Sequence, residues 1–185
     1  KEAFKNNILG TYNVAKAVDA AKVPKMVMIS TDKAVNPVSI YGVSKMLNEK
    51  MVLEAAARVK EKYGSADYAY MFVRFGNVLG SRGSIFPLFV EQVKKGGPVT
   101  VTSPDMMRFF MTIPEACSLV LQTGGVGING QSYLLDMGEP VNILETARQL
   151  IRYMGYEPEK DIPIEIIGVR PGERLEEPLT SETEY

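Results

Sequence analysis

The chain contains no histidine, no tryptophan and a single cysteine, Cys117. The absence of histidine excludes Ser-His-Asp and Cys-His catalysis and any imidazole-based zinc site, so no metal is expected. One thiol excludes an internal disulfide and suits a reducing compartment. Neither sign of charge dominates: 21 Lys and Arg stand against 22 Asp and Glu, a net charge of -1. There is thus no global pull toward nucleic acid or an anionic membrane, although local basic positions can still bind a phosphate. No apolar run approaches the ~20 residues of a membrane span, and no signal peptide is visible. A cytoplasmic protein, or the cytoplasmic domain of a membrane protein, is expected.

What is present is ordinary for a globular protein. The 185 residues are 45% hydrophobic and 23% charged, enough for a sizeable core in one domain or one and a half. The chain opens on Lys1-Glu2-Ala3-Phe4, without Met, and runs straight into a helical pattern. A fragment of a longer protein is the expectation.

Phe4, Ile8, Tyr12, Ala15 and Val18 recur at helical spacing, which predicts an amphipathic helix over 2–22. Val23-Pro24 stops it, and Lys25 to Ser30 is a short apolar run that suits a parallel strand buried on both faces. A polar loop over 31–38 leads to a helix over 39–62, capped near Ser39 and closed by Tyr63-Gly64. Met46, Leu47, Met51, Val52, Ala55, Ala56 and Val59 are its apolar positions. A second apolar strand runs from Tyr68 to Phe75. The order helix, strand, helix, strand predicts half of a doubly wound α/β sheet. After it come a glycine-rich loop over 76–84, a helix over 85–95, strands near 99–102 and 109–113, and a helix from Pro114 to about Gln122. A loop over 124–130, a strand over 131–136, a helix over 142–154 and a strand over 162–167 complete the pattern. Cys117 falls on an apolar helical face, where a packed small hydrophobe is expected.

The stretch richest in chemistry is Ser30-Thr31-Asp32-Lys33, followed by Tyr41 and Lys45. Tyr41 and Lys45 are spaced to share a helix face, and an ammonium near a phenol favours the phenolate and lowers its pKa. Asp32 and Lys33 read either as an acid and base or as a salt-bridged pair holding the end of the strand. Asn77, Ser81, Arg82 and Ser84 in the glycine-rich loop suit a sugar or phosphate, or belong to an ordinary mobile loop. Arg108, Arg170 and Arg174 are candidate pyrophosphate ligands, since guanidinium matches phosphate oxygens bidentately; solvated surface charges are the alternative.

A Ser/Thr at the end of a strand, Tyr-x-x-x-Lys on the next helix and Asn7 on the helix before together resemble the extended branch of the short-chain dehydrogenase/reductase superfamily. The ordered set Ser30-Thr-Asp-Lys-Ala-Val-Asn-Pro, Tyr41-Gly-Val-Ser-Lys45, Arg74 to Ser84, Arg108-Phe-Phe-Met-Thr-Ile and Arg170-Pro-Gly-Glu-Arg174 is similar to one family in it. That family is the UDP-N-acetylglucosamine 4,6-dehydratases of bacterial polysaccharide and glycan biosynthesis (the capsular polysaccharide biosynthesis family). The resemblance covers nearly the whole chain. It implies NADP (or NAD) as cofactor, touched by Asn7, Ser30, Tyr41 and Lys45, and Thr31 and Lys45 as catalytic residues alongside Tyr41, Asp32 and Lys33. It implies Tyr41 as base for hydride transfer from C4, Lys33 as base at C5 and Asp32 as acid at the C6 hydroxyl. Asn77, Ser81, Arg82, Ser84, Arg108, Arg170 and Glu173 would hold the UDP-sugar. Tyr41, where the large membrane-bound members carry Met, is similar to the soluble inverting branch. A homo-oligomer is expected of the full-length protein.

The resemblance also defines what is missing. A dinucleotide fold of this kind carries a Gly-x-x-Gly-x-x-Gly turn between a strand and a helix, and none occurs here in that setting. The expected architecture is therefore the C-terminal part of a doubly wound Rossmann-like parallel sheet plus a small α/β substrate-binding domain. Residues 1–78 would form the partial NAD(P)-binding half and 79–185 the sugar-nucleotide part, with 131–136 returning to the main sheet. Most of the cofactor site would lie upstream, leaving this stretch inactive alone and its sheet edge open to association. A sugar-nucleotide 4-epimerase or reductase of the same branch, and a non-catalytic sugar-nucleotide-binding module, are the alternative readings.

Overall fold

The computed structural model describes residues 1–64, 67–81 and 83–181. It is α/β and divides into two compact units. The first comprises residues 1–75, 116–136 and 178–185; the second comprises 76–115 and 137–177.

The first unit opens with a π-helical turn, Phe4–Leu9, that runs into α1, Gly10–Ala20. Strand β1, Lys25–Ile29, leads through a single 3-10 turn, Asp32–Ala34, into α2, Ile40–Tyr63. Strand β2 is Ala69–Arg74. Further on, α4, Ile113–Val126, precedes β7, Ser132–Leu134. The sheet order is β1-β2-β7, all parallel, with Lys25 level with Ala69 and Phe72 level with Ser132. β2 lies in the middle and is buried along its whole length, whereas β1 is half-exposed and Ile29 is 48% exposed. The sequence predicts both strands buried alike. Composition does not separate them; only the pairing order, which puts β1 at an edge among the described residues, does so.

Helix α2 covers β2. Val52, Ala55, Ala56 and Val59 on α2, Ala15 on α1 and Tyr70 and Phe72 on β2 form one core cluster. The small alanines let the helix lie close to the sheet. The N-terminal half of the inward face is different: Ser44, Asn48 and Glu49 are buried there, while Leu47 is 38% exposed. The apolar positions predicted for this half, Met46 and Leu47, are therefore not its core side. Ser39 accepts the amide N–H of Gly42 at 3.0 Å, and Gly64, at φ +81°, closes the helix.

Helix α4 continues through Gly124 and Gly125, which the sequence assigns to a loop. The ammonium of Lys25 explains the extension: it donates to the carbonyls of both glycines, at 2.9 and 2.7 Å, in the last turn where a cation is favoured. Cys117 on this helix is exposed rather than packed. The stretch between α4 and β7 is tied down by Asn129. Its Oδ1 accepts the Tyr70 N–H at 2.9 Å and its Nδ2 donates to the Ala56 carbonyl at 2.9 Å.

The second unit contains β3, Asn77–Val78; α3, Ile85–Lys94; β4, Val99–Val101; β5, Met107–Arg108; and β6, Phe110–Met111. After β7 come β8, Val141–Asn142; α5, Ile143–Tyr153; and β9, Ile164–Ile166. These strands pair two by two: β3 with β6 and β4 with β9 in parallel, β5 with β8 antiparallel. The core is Phe89 and Val93 of α3, Val99 and Val101 of β4, and Ile143, Ala147 and Ile151 of α5, with Met106 and Ile162. Asn142 caps α5 by accepting the Glu145 N–H at 3.0 Å. No helix among the described residues is long and apolar enough to cross a membrane.

Replacing Asn129 by Ala leaves the Tyr70 N–H without its partner in a half-buried setting and removes the tie to the Ala56 carbonyl. The expected cost is about 1–3 kcal/mol, read as a lower denaturation midpoint at unchanged m-value.

Candidate active site

The end of β1 and the first turns of α2 bring together five of the residues singled out by the sequence. Thr31, in extended backbone, caps the 3-10 turn, and its hydroxyl donates to Asp32 Oδ1 at 2.8 Å. Lys33 Nζ lies 2.8 Å from the same Oδ1. Asp32 is fully buried and its other oxygen, Oδ2, has no partner among the described residues. An unsatisfied buried carboxylate oxygen is costly, so the turn presents an acceptor or an acid that the fold leaves unused. The Lys33 side chain remains partly exposed.

Gly42 keeps this turn against α2. A Cβ built there would overlap the Lys33 carbonyl oxygen and meet the Pro37 Cβ at 3.0 Å. The backbone next to the Asp32–Lys33 ion pair is thus pressed onto the helix turn that carries Tyr41. Tyr41 remains 45% exposed. Its phenol is raised above the ordinary value of 10.0. Burial is the main cause, the Asp32 charge adds to it, and a hydrogen bond with the Thr31 side chain partly offsets it. Proximity to Lys45 predicts the opposite direction, but Lys45 is not among the groups that act on the phenol. Its ammonium points to the end of β1 and donates to the Ile29 carbonyl at 3.1 Å. Burial lowers the proton affinity of Lys45, and the charge of Glu49 counteracts that.

Asn7, in the π-helical turn, donates from Nδ2 to Ser44 Oγ at 2.8 Å, and Ser44 Oγ donates to the Tyr41 carbonyl at 2.7 Å. Asn7 therefore steadies the helix turn that holds Tyr41. Ser30 is buried, and its hydroxyl donates to Glu49 Oε1 at 2.5 Å. Glu49 is clasped in turn by Arg74, through Nε to Oε1 at 2.8 Å and Nη2 to Oε2 at 2.7 Å. Sequence reasoning assigns no role to Glu49 or Ser44. The available signal is that both sit on the α2 face that should be apolar if the helix only packed.

In the second unit, Arg108 is buried rather than solvated. Its guanidinium donates to the carbonyls of Met107, Arg174 and Leu175, at 2.6, 2.8 and 3.0 Å, and lies 3.7 Å from Glu173. It latches the Arg170–Arg174 turn in place rather than standing open to a ligand. Glu173 also accepts from the Thr102 hydroxyl at 3.2 Å and from the Arg170 N–H at 3.2 Å. The Arg170 residue itself is exposed. Ser81 donates to the Val78 carbonyl at 2.8 Å, Asn77 begins β3, and Ser84 precedes α3 with a buried hydroxyl that has no partner among the described residues. Arg82 lies outside the described residues.

The polysaccharide biosynthesis protein family matches residues 1–185. The chain belongs to this family. It is 52% identical over 183 residues to the capsular polysaccharide biosynthesis protein CapD of Staphylococcus aureus, covering 99% of this chain and 29% of CapD. It is 37% identical over 183 residues to the UDP-glucose 4-epimerase of Rickettsia rickettsii, covering 99% of this chain and 51% of the epimerase. The chain thus spans about a third to a half of the length of these relatives. Among solved structures, Pen from Bacillus thuringiensis superposes with a TM-score of 0.83 at 36% identity, over 95% of this chain and 53% of Pen. DesIV, a dTDP-glucose 4,6-dehydratase from Streptomyces venezuelae with NAD and TYD bound, superposes with a TM-score of 0.80 at 20% identity, over 95% of this chain and 57% of DesIV. That last likeness shows the Rossmann-like fold. The relatives named here are thus a capsular polysaccharide biosynthesis protein and a UDP-glucose 4-epimerase, each matched over nearly the whole of this chain.

Two outcomes check the site geometry. Gly42→Ala forces the Lys33 backbone away from α2 and is expected to destabilise the fold by about 1–3 kcal/mol, an overpacking cost, measured by denaturation. Tyr41 should ionise late. Its raised value means that the stability it contributes is intact below pH 10.0 and is lost as the pH rises through the folded value. The difference in phenolate absorbance between wild type and Tyr41→Phe should therefore appear with a midpoint above 10.0.

Proposed function

We propose that the protein containing this chain removes water across C5 and C6 of UDP-N-acetylglucosamine, through a transient 4-keto sugar, with NADP or NAD as the redox partner and with inversion at C5. The observation that carries this reading is the shared location of two kinds of chemistry. Thr31 and Asp32 both act on the Tyr41 phenol, so a redox tyrosine and an acid–base pair serve one spot at the end of β1. A simple oxidoreductase has no use for the pair; a dehydratase needs it.

The donor set fits a nicotinamide ribose. Lys45 has three ammonium hydrogens and one bond, to Ile29, which leaves two for a diol, and Tyr41 is accessible beside it. When bound, the dinucleotide supplies the hydride acceptor and then the donor. Tyr41 takes the C4 hydroxyl proton, and its raised value means that a cation has to act on it at that moment. Lys45, four residues along the same helix, is the cation we assign to that step. The 4-keto group then acidifies C5–H. Lys33 removes that proton as a neutral amine, and Asp32 donates to the departing C6 hydroxyl as a neutral acid. Transfer of one proton from Lys33 Nζ to Asp32 Oδ1 across 2.8 Å produces both of these states at once. In the second unit, Arg170, Glu173, Asn77 and Ser84 are the groups we assign to the sugar nucleotide. Arg108 positions the turn that bears the first two.

A 4-epimerase is the second reading, favoured by the 37% identity to the Rickettsia enzyme. Product mass separates the two, because epimerisation conserves mass and dehydration loses one water. In the full-length protein, Asp32→Asn or Lys33→Met should lower water loss by roughly 10²–10⁴-fold while transfer of a deuterium from C4 of labelled substrate to the dinucleotide persists. Tyr41→Phe should abolish both. Conserved product mass with an unimpaired Lys33→Met variant would exclude dehydration.

A further inference from the structure

Helix α2 rests on the sheet in two different ways. From Val52 onward the contact is apolar, between valines and alanines of the helix and the side chains of β2. Closer to its N-terminus the contact is a buried clasp of polar groups. The Arg74 guanidinium, at the end of β2, donates two hydrogen bonds to the Glu49 carboxylate on α2, at 2.8 and 2.7 Å, and the Ser30 hydroxyl, at the exit of β1, donates a third at 2.5 Å. Glu49, Arg74 and Ser30 are 3%, 7% and 4% exposed. The two charges cancel, so the clasp acts through its geometry. A buried ion pair gains little stability over apolar side chains of similar volume, because both ions must be desolvated. It supplies direction instead: a guanidinium fork meets a carboxylate in one planar arrangement, whereas apolar replacements lose uniqueness of packing before they lose stability.

The clasp sits where direction matters. Ser30 and Asp32 donate their N–H groups to the carbonyls of Val73, at 2.7 Å, and Phe75, at 3.2 Å, one on each side of Arg74. The Arg74 carbonyl accepts the Leu135 N–H at 3.0 Å, just past β7. The backbone around Arg74 thus holds the segment that carries Asp32 and Lys33, and the Arg74 side chain holds the helix that carries Tyr41. We propose that Arg74 and Glu49 are positioning residues: their fork sets how α2 stands on the strand ends and thereby where the Tyr41 phenol lies relative to the Asp32–Lys33 pair. The inference rests on the roles assigned to those three residues above. The contact at Gly42 fixes only the first turn of α2, against the Lys33 backbone. One point of contact lets a helix pivot; the clasp, about two turns further along, is the second point.

Two variants of the full-length protein test this. Arg74→Lys keeps the buried charge and loses the fork. Glu49→Met with Arg74→Met removes the pair, keeps the site filled, and should fold with a denaturation midpoint near that of the wild type. In both, kcat for water loss should fall by roughly 10²-fold, the effect of a misplacement of about 1 Å. KM for the sugar nucleotide should stay unchanged, because the groups assigned to it lie in the second unit. Amide hydrogen exchange, read without substrate, should speed up about tenfold over residues 30–35, the size of effect a lost hydrogen bond gives, while residues 52–59 keep their protection. A clasp that served stability alone would raise exchange over both segments alike and leave kcat of the folded protein in place; that result overturns the proposal. Unchanged exchange over 30–35 overturns it too, as does unchanged kcat in Arg74→Lys. Should the double variant not fold, Arg74→Lys decides by the same readings. If the wild type releases no water from the sugar nucleotide while exchange rises over 30–35 alone in the variants, the function proposed above falls and the clasp stands.

Discussion

The backbone of Lys33 and the first turn of α2 approach so closely that position 42 has room for a hydrogen and nothing larger. That approach fixes the geometry of everything reactive in the first unit. It sets the Asp32–Lys33 pair against the turn bearing Tyr41, and it makes the Thr31 hydroxyl a common neighbour of Asp32 and the phenol. Repulsion between non-bonded atoms rises steeply as they approach one another, so the turn has no softer arrangement to slide into. A site held by packed backbone keeps its geometry better than one held by long side chains.

Around this contact the fold accepts polar groups in places that would otherwise be core. The inward face of α2 is apolar from Val52 onward and polar at Ser44, Asn48 and Glu49. Asn7 and Ser44 brace the Tyr41 turn, while Ser30, Glu49 and Arg74 brace the Lys45 turn. Each donor and acceptor that is satisfied stiffens the site, and each that is not marks where a ligand is expected to supply the partner. Asp32 Oδ2 is such an atom in the first unit and Ser84 Oγ in the second. The second unit treats its charge differently, spending Arg108 on carbonyls of its own chain so that the Arg170–Arg174 turn has one conformation.

Much of the fold was legible in the chain because periodicity reports burial directly. Helices α2, α3 and α5 fall close to their predicted spans, since apolar spacing, Ser39 and Asn142 caps and the Gly64 stop act locally. The end of α4 was not legible: two glycines argue for a loop, and only the distant Lys25 ammonium, reached across the sheet, stabilises the extra turn. The unequal burial of β1 and β2 was hidden for the same kind of reason, since pairing order is not a property of either strand.

The candidate site divides along the same line. Residue types and their spacing determined by themselves which polar side chains gather at the end of β1, because Thr31, Asp32, Lys33, Tyr41 and Lys45 are close in sequence and a strand–turn–helix brings near neighbours together whatever the rest does. Tertiary structure alone decided the electrostatics. Tyr41 is raised, not lowered, because burial outweighs any cation and Lys45 turns instead to the Ile29 carbonyl. Arg108 is a latch because the chain returns to it sixty-odd residues later with two carbonyls in reach. Glu49 matters because two strand ends converge on it. Spacing along a helix fixes which residues can meet; desolvation and long-range partners fix what charge they hold when they do.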